Sequence, residues 1–570
     1  MTNDDTPPPP PPLSDEDLIR LAREGAAQPA EQEAPGWESP VGRARVALWR
    51  SGTMLARAEA ASADVELAIR GAAGAALASV PGAVPPDDEH NATVLDVEVM
   101  MDIQAIRPEG LSGLLFALDP GIHGLVLKDG DRTVGGWPAD ALRGGRSSAR
   151  WTKSLLREVR PPGARLPAST GVARFRTRQV VGMLQPPTDR PVRAVAMQGA
   201  TRVVPPQSVN RQDLGRAAGR AGSWLARHQR PNGLFQYGFL ERDRTWSQDD
   251  SLVRQAGCAW AMARLARLAT DDAFVAPTAR ALRGLEQTSL KRSGPGNLAY
   301  LQFQNGPPRL GAIPLFLLAA DEWGDQSPID PRTRERLAAM LLALQEPSGA
   351  FGTRARGLEL EGSETYYAGQ IALALARRFV VSKRDRLAEA GLRSLRYYRQ
   401  WWHDGNQDLS FLTWMLQACE AWHLIRPDDA TRDFAFEMAD WALQSQHGPD
   451  HPNPLWRGAF ENTPGIGTAA YTEGMLRALA LARRVGDAER VERYTDSVRG
   501  AARFLLQLSM EDADLAFLSG PEHRGAVRSS LRRRNLRCDN AQHFIMSMLG
   551  AAGELFRDSE AEATPDPSPS

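Results

Sequence analysis

Cysteine is nearly absent: the 570-residue chain has three, Cys258, Cys419 and Cys538. Three thiols so far apart make no disulfide framework and fit a reducing compartment, so a cytoplasmic protein is expected. Net charge is nearly absent too. With 68 basic and 69 acidic residues the formal charge is -1, which provides no global attraction to nucleic acid or to an anionic membrane. No apolar run is long enough to span a bilayer. Met1 to Pro12 are acidic and then polyproline, without the basic and apolar regions of a secretory signal. Aromatic residues make up an ordinary 7%, which does not announce an aromatic-lined cavity. What remains is a common globular composition, 42% hydrophobic and 24% charged, at a length that suits two or more domains.

Residues 1–40 and 557–570 have tail compositions, proline-rich and acidic, that are expected to stay disordered. Val203-Val204-Pro205-Pro206 reads as a hinge between two different halves. The first, 41–205, has an α+β pattern. Ala44 to Arg50 and Thr53 to Ala58 form a hairpin around Ser51-Gly52, and Ala63 to Val80 is an alanine-rich helix with Ser62 as N-cap. Thr93 to Ile103 is a long strand, and a second hairpin turns at Asp129-Gly130. The stretch Pro120-Gly121-Ile122-His123-Gly124, with Asp129 to Arg132 and Trp137-Pro138 after it, resembles the AMME-syndrome candidate-region protein family. That family's Leu-Arg-Gly-Cys-Ile-Gly segment is missing: Thr53 to Ala58 reads Thr-Met-Leu-Ala-Arg-Ala. His123 is read first as a hairpin residue bonded to its own turn.

The second half, 208–556, has apolar positions at three- and four-residue spacing in twelve segments, from Leu214–His228 to Asn540–Leu555. Twelve helices make six hairpins, which can close into an all-α (α/α)6 toroid. Low charge marks Leu252–Leu268, Leu310–Ala320 and Leu409–Ile425 as inner helices, whereas Ala388–Trp402 and Val491–Leu508 carry the charges of outer ones. Punctuation comes from Gln-x-x-x-Gly-x-Phe at Gln229 to Phe235 and Gln345 to Phe351, with a broken copy, Gly458-Ala459-Phe460, after Gln446. This repeat resembles the QW-type repeats of terpenoid cyclases and protein prenyltransferases, with Phe for Trp. Tyr366-Tyr367-x-Gly-Gln370 and the hairpin count resemble six-hairpin glycosidases, sugar epimerases and uronate lyases equally well.

In such a toroid the inner helices begin at one end, so their first turns ring a funnel. Asp250, Glu364, Glu473 and Asp539 are the candidate catalytic acids, with His543 as orienting partner or alternative base. Paired carboxylates in a partly desolvated site have divided pKa values, as acid and base chemistry on sugars requires. Asp249, Arg254, Tyr366, Tyr367, Gln370, Asp408, Tyr471, Arg537, Gln542, Trp246 and Trp456 are candidate binding residues. Each has a plainer reading, since acids cap helix starts and aromatics pack at junctions. Cys538, Asp539 and His543 have the residue types of a prenyltransferase zinc site, but adjacent residues point apart on a helix, so no metal or other cofactor is expected. Arg524, Arg528, Arg532, Arg533, Arg534 and Arg537 precede the last inner helix and would favour an anionic ligand if folded over the funnel. The expectation is a carbohydrate-acting enzyme of hydrolase, lyase or epimerase type, binding a small molecule or oligosaccharide and neither nucleic acid nor membrane. The first domain would be accessory. An isoprenoid-type toroid and a non-catalytic scaffold are the alternatives.

Overall fold

The computed structural model describes residues 13–28, 37, 42–80, 93–118, 121–143, 148–159, 170–185, 194–199, 201–241, 243–268, 272–293, 298–304, 306–461, 463–517, 520–533 and 535–557. The expected tails at 1–12 and 558–570, and Pro120 of the hairpin motif, lie outside them. Two compact units are present. Unit 1 is Met1–Val203 with Glu511–His523, and unit 2 is Val204–Met510 with Arg524–Ser570. The single expected boundary near 205 therefore leaves out one segment, 511–523, which joins the first unit from far along the chain.

Unit 1 contains α1 (Asp15–Ala26), β1 (Arg43–Arg50), β2 (Thr53–Ala61), α2 (Val65–Ala78), β3 (Val94–Ile106), α3 (Gly110–Phe116), β4 (His123–Asp129), β5 (Arg132–Gly136), α4 (Pro138–Arg143), α5 (Ser148–Val159), β6 (Gly171–Met183), β7 (Val195–Gln198) and β8 (Thr201–Arg202). The strands form one antiparallel sheet, ordered β2-β1-β3-β6-β4-β5, with β7 on β6 and β8 on β7. The helix α1 corrects the expectation that residues up to 40 are a disordered tail. Its start is a capping box, in which Asp17 N donates to Ser14 Oγ at 3.1 Å and Ser14 N donates to Asp17 Oδ2 at 3.0 Å. Its buried residues Leu18, Ile19, Leu21 and Ala22 pack into one core with α2, β1 and β3. An acid-rich composition concealed that apolar stripe. In α2 the N-cap is Asp64 rather than Ser62: Glu66 N donates to Asp64 Oδ1, and Ser62 Oγ accepts from Asp64 N.

Unit 2 contains α6 (Arg211–Arg227), β9 (Gly238–Leu240), β10 (Thr245–Trp246), α7 (Leu252–Leu268), α8 (Val275–Ser289), β11 (Leu290–Ser293), β12 (Leu298–Leu301), α9 (Ala312–Glu322), α10 (Pro331–Ala343), β13 (Arg354–Ala355), β14 (Leu358–Glu359), α11 (Glu364–Ser382), α12 (Asp385–His403), α13 (Leu409–Ile425), α14 (Asp429–Leu443), α15 (Gly467–Val485) and α16 (Ala488–Leu506). After α17 (Asp512–Phe517), which belongs to unit 1, come β15 (Leu536–Arg537) and α18 (Cys538–Glu554). Within unit 1, Asp514 of α17 pairs with Arg202 at 2.6 Å, and Phe517 lies edge-on to Trp49.

Six helices of unit 2 touch in a closed order: α7, α9, α11, α13, α15, α18 and back to α7. The others lie outside, each against ring helices, with α8 on α7 and α9, α12 on α11 and α13, and α16 on α15 and α18. Burial follows this arrangement. All residues from Phe411 to His423 of α13 are buried, as are Ala312 to Ala320 of α9, because a ring helix is covered on every side. The outer helix α12 buries one stripe, including Leu387, Gly391, Leu395, Tyr398 and Trp402.

The glutamine repeat joins an outer helix to a ring helix at each copy. Gln229 Nε2 donates to the carbonyls of Gly233 and Pro277, Gln345 Nε2 to those of Gly349 and Ala390, and Gln446 Nε2 to those of Gly458 and Ser497. One amide thus closes its own loop and fastens it to the next outer helix. The glycines have φ of +85°, +103° and +86°, and a Cβ on them would lie 2.2, 2.7 and 2.1 Å from the carbonyl oxygens of Arg280, Arg393 and Gly500. Only glycine meets both demands. Phe235, Phe351 and Phe460 are buried behind them.

Candidate active site

Ring helices that start at one end place their first turns together. On neighbouring helices α15 and α18, Glu473 Oε1 and His543 Nδ1 are 2.7 Å apart. A carboxylate can only accept, so Nδ1 carries the proton and Nε2 is left for exchange. Glu473 is 4% exposed, and its Oε2 is buried with no hydrogen-bond partner among the described residues. The His543 side chain retains 22% exposure. Burial pulls the imidazole pKa down, but the charge and hydrogen bond of Glu473 outweigh it and the pKa is raised above 6.5.

Beneath this dyad Trp414 of α13 lies 6.1 Å from the His543 ring, and Trp260 of α7 lies 5.9 Å from Trp414. Those two tryptophans meet across the ring, since α7 and α13 are not neighbours in it. Above the dyad Asp539, with its side chain 12% exposed, is held by two guanidinium groups. Arg537 binds both its oxygens at 3.0 Å, and Arg254 binds Oδ2 at 3.0 Å. Arg537 is fixed by β15, which pairs with β9, and Arg254 lies over the Tyr237 ring. At the rim the Tyr471 hydroxyl donates to Glu461, whose φ of +71° is costly for any residue but glycine. Tyr366, 48% exposed, is close enough to raise the Tyr471 pKa further, after burial and Glu461.

Other candidates stand elsewhere. Glu364 accepts from the hydroxyl of Tyr398 on outer helix α12, and that hydroxyl also receives Phe351 N at 3.0 Å. Glu364 therefore belongs to the repeat's anchorage, away from the dyad; burial raises its pKa although the Tyr398 bond opposes this. Tyr367 is buried beside it. Asp250 accepts from Gln255 Nε2 and Ser251 N and pairs with Arg230, which is a helix-start role. Asp249 is bonded to Ser247, and Asp408 caps α13 through Ser410 N. Gln542 packs against Gly257, and Gln370 faces Gly311 with a buried Oε1 that has no hydrogen-bond partner among the described residues. Trp246 joins Trp224, His228 and Phe239, while Trp456 stacks on His451. Trp260, Trp414, Tyr237 and Glu461 escaped sequence reasoning. The two tryptophans sit inside apolar runs, and only Glu461 had a signal, directly after the broken repeat.

No protein-family model and no curated protein matches the chain. Solved structures do. A family 76 glycoside hydrolase from a bovine Bacteroides thetaiotaomicron strain aligns at TM-score 0.46 and 9% identity, over 80% of this chain and 96% of that one. The GH76A alpha-1,6-mannanase from a Salegentibacter species aligns at 0.44 and 12%, over 60% and 99%. Cellobiose 2-epimerase from Bacillus thermoamylovorans aligns at 0.44 and 11%, over 57% and 95%. At such identities the chemistry has to be argued from this chain's own residues.

Among the described residues no group of three His, Cys, Asp or Glu side chains is placed to hold a metal ion, and no helix is long and apolar enough to cross a membrane. The three cysteines are free and buried. In unit 1, His123 lines a cavity of about 240 Å³ with Asp102, Gln104, Arg174, Phe175 and Arg176. Gly124 beside it faces Phe175 across the strand pair, where a Cβ would lie 2.2 Å from the ring. The His-Gly pair is thus partly a packing requirement.

Proposed function

We propose that unit 2 is an (α/α)6 toroid of six helical hairpins that acts on a carbohydrate, with His543 moving the proton and Glu473 orienting it. The observation that supports this reading is the Glu473–His543 pair at the helix-start end of the ring, where one buried carboxylate fixes a partly exposed imidazole. A carboxylate-oriented imidazole can take the proton from the carbon beside a sugar carbonyl or carboxylate, and as imidazolium return it to that carbon in an epimerisation or to the leaving oxygen in an elimination. Tyr366 at the rim, largely exposed, offers an apolar face for the C–H side of a pyranose, Trp414 and Trp260 close the floor, and Arg254 and Arg537 favour an acidic sugar. Hydrolysis by two carboxylates fits less well, because Asp539 is held between two guanidinium groups and Glu364 turns to Tyr398. The reading is accordingly of epimerase or lyase type, in a cytoplasmic protein that needs no cofactor. Unit 1, with its resemblance to the AMME-candidate family, is accessory.

The test is incubation with neutral and uronic-acid oligosaccharides in deuterated water, followed by NMR. Deuterium incorporation or a new double bond that is lost in both His543→Gln and Glu473→Gln supports the assignment. Turnover that persists in either variant overturns it.

A further inference from the structure

The opposite end of the ring carries charges that the reaction does not use. Trp260 points across the ring toward Trp414, and Arg264 lies one turn further along the same face of α7. Glu473 points to the dyad, and Arg477 follows one turn later on α15. Tyr366 of α11 reaches toward Tyr471 across the ring, and Arg377 lies on the same stripe about three turns on. The helices α7, α11 and α15 alternate around the ring. Each of the three arginines is roughly three turns beyond its helix's start, so all lie near one level.

Acids do not match these arginines in number: Glu322 is the acid that acts on Arg264 and Arg377, and it is shared with Arg267. Among the described residues none of the three has an ion pair or a side-chain hydrogen bond, and the Nε of Arg264 is buried without a partner. One carboxylate does not balance them: Glu322, which feels Arg264 and Arg377, is itself bonded by Arg267 at 2.7 Å and by Trp260 Nε1. Helix dipoles do not account for the cluster either. Arg477 is two turns before the end of α15, beyond the last turn to which that effect reaches. The arginines also feel one another. Burial first, then the charge of Arg477, lowers the Arg264 pKa to about 10, with Arg377 adding to it, and Glu322 only partly offsets them.

We propose that the helix-end face of the ring is a second binding site, in which Arg264, Arg377 and Arg477 from three alternate helices hold a compact oxyanion of phosphate type. Three converging guanidinium groups present forked donors to one tetrahedral anion, and the anion removes their mutual repulsion. The site is independent of the reaction assigned to the other end. A bound anion would tie together helices that are not neighbours in the ring.

Isothermal titration of the full chain with inorganic phosphate, at ionic strength held constant with sodium chloride, tests this. Saturable one-site binding is expected, accompanied by a rise in Tm that chloride alone does not produce. Arg377→Gln, an exposed position that leaves the fold intact, is expected to weaken binding at least about tenfold, as loss of a charge-assisted contact does. Arg477→Gln is expected to act likewise, whereas Arg354→Gln, an exposed arginine on the β13–β14 hairpin, retains full affinity. No saturable binding by the wild-type chain, or equal affinity in Arg377→Gln, overturns the proposal.

Discussion

Replacing Glu473 by glutamine removes one charge from the ring and little volume. In the wild type the Glu473 carboxylate outweighs the burial that lowers the His543 pKa, so the net shift is upward from 6.5. A histidine with a raised folded-state pKa adds stability that is fully present below the unfolded value and is lost as pH rises through the folded one. In Glu473→Gln, burial meets less opposition and the imidazole pKa drops. The stability present in acid should fall by about 1–3 kcal/mol, the cost of a charged hydrogen bond replaced by a neutral one. The loss should shrink toward alkaline pH, where wild-type His543 is itself neutral. Imidazole NMR titration, with the signal assigned by its absence in His543→Gln, reads the pKa; urea denaturation at pH 5.5 and 8.5 reads the stability. An unchanged His543 pKa, or equal destabilisation at both pH values, would refute the reasoning.

Gly349→Ala places a Cβ 2.7 Å from a carbonyl oxygen at φ +103°, and should cost about 2–3 kcal/mol in urea denaturation. Gly405→Ala, at φ +94° in open space, should cost only roughly 1 kcal/mol by the same measurement. Tyr398→Phe should lose about 1–3 kcal/mol, because Phe351 N is left buried without its acceptor. The same change removes the bond that lowers the Glu364 pKa, so carboxylate NMR should find that group titrating higher than in the wild type. All three cysteines are buried, and burial pushes the Cys419 thiol well up, so a thiol reagent should be inert toward the native protein and label three sites once it is unfolded.

The helices of unit 2 were legible because each hides a face or its whole circumference. Leu252–Leu268 and Leu409–Ile425 match α7 and α13 to the residue, since apolar periodicity stops where burial stops. Azimuth was not legible. Glu364 and Tyr366 share a helical turn, yet one turns to outer helix α12 and the other to the ring's interior. A helix start in a sequence does not say which side faces the axis. Trp260 and Trp414 were concealed by their own context, for an aromatic inside an apolar run reads as core. Helix α1 was missed because composition over forty residues diluted a twelve-residue stripe, and α17 because no local signal tells a segment to pack on strands hundreds of residues earlier.

The repeat that fastens loops with a glutamine occurs before α7, α11 and α15 and not before the ring helices between them. Its spacing makes the molecule count in threes. The joints precede every second ring helix, even where the third is interrupted by Gly448 to Arg457. In the third copy the Gln446 amide still reaches the carbonyls of Gly458 and Ser497, so the extra residues are looped out and the joint is kept.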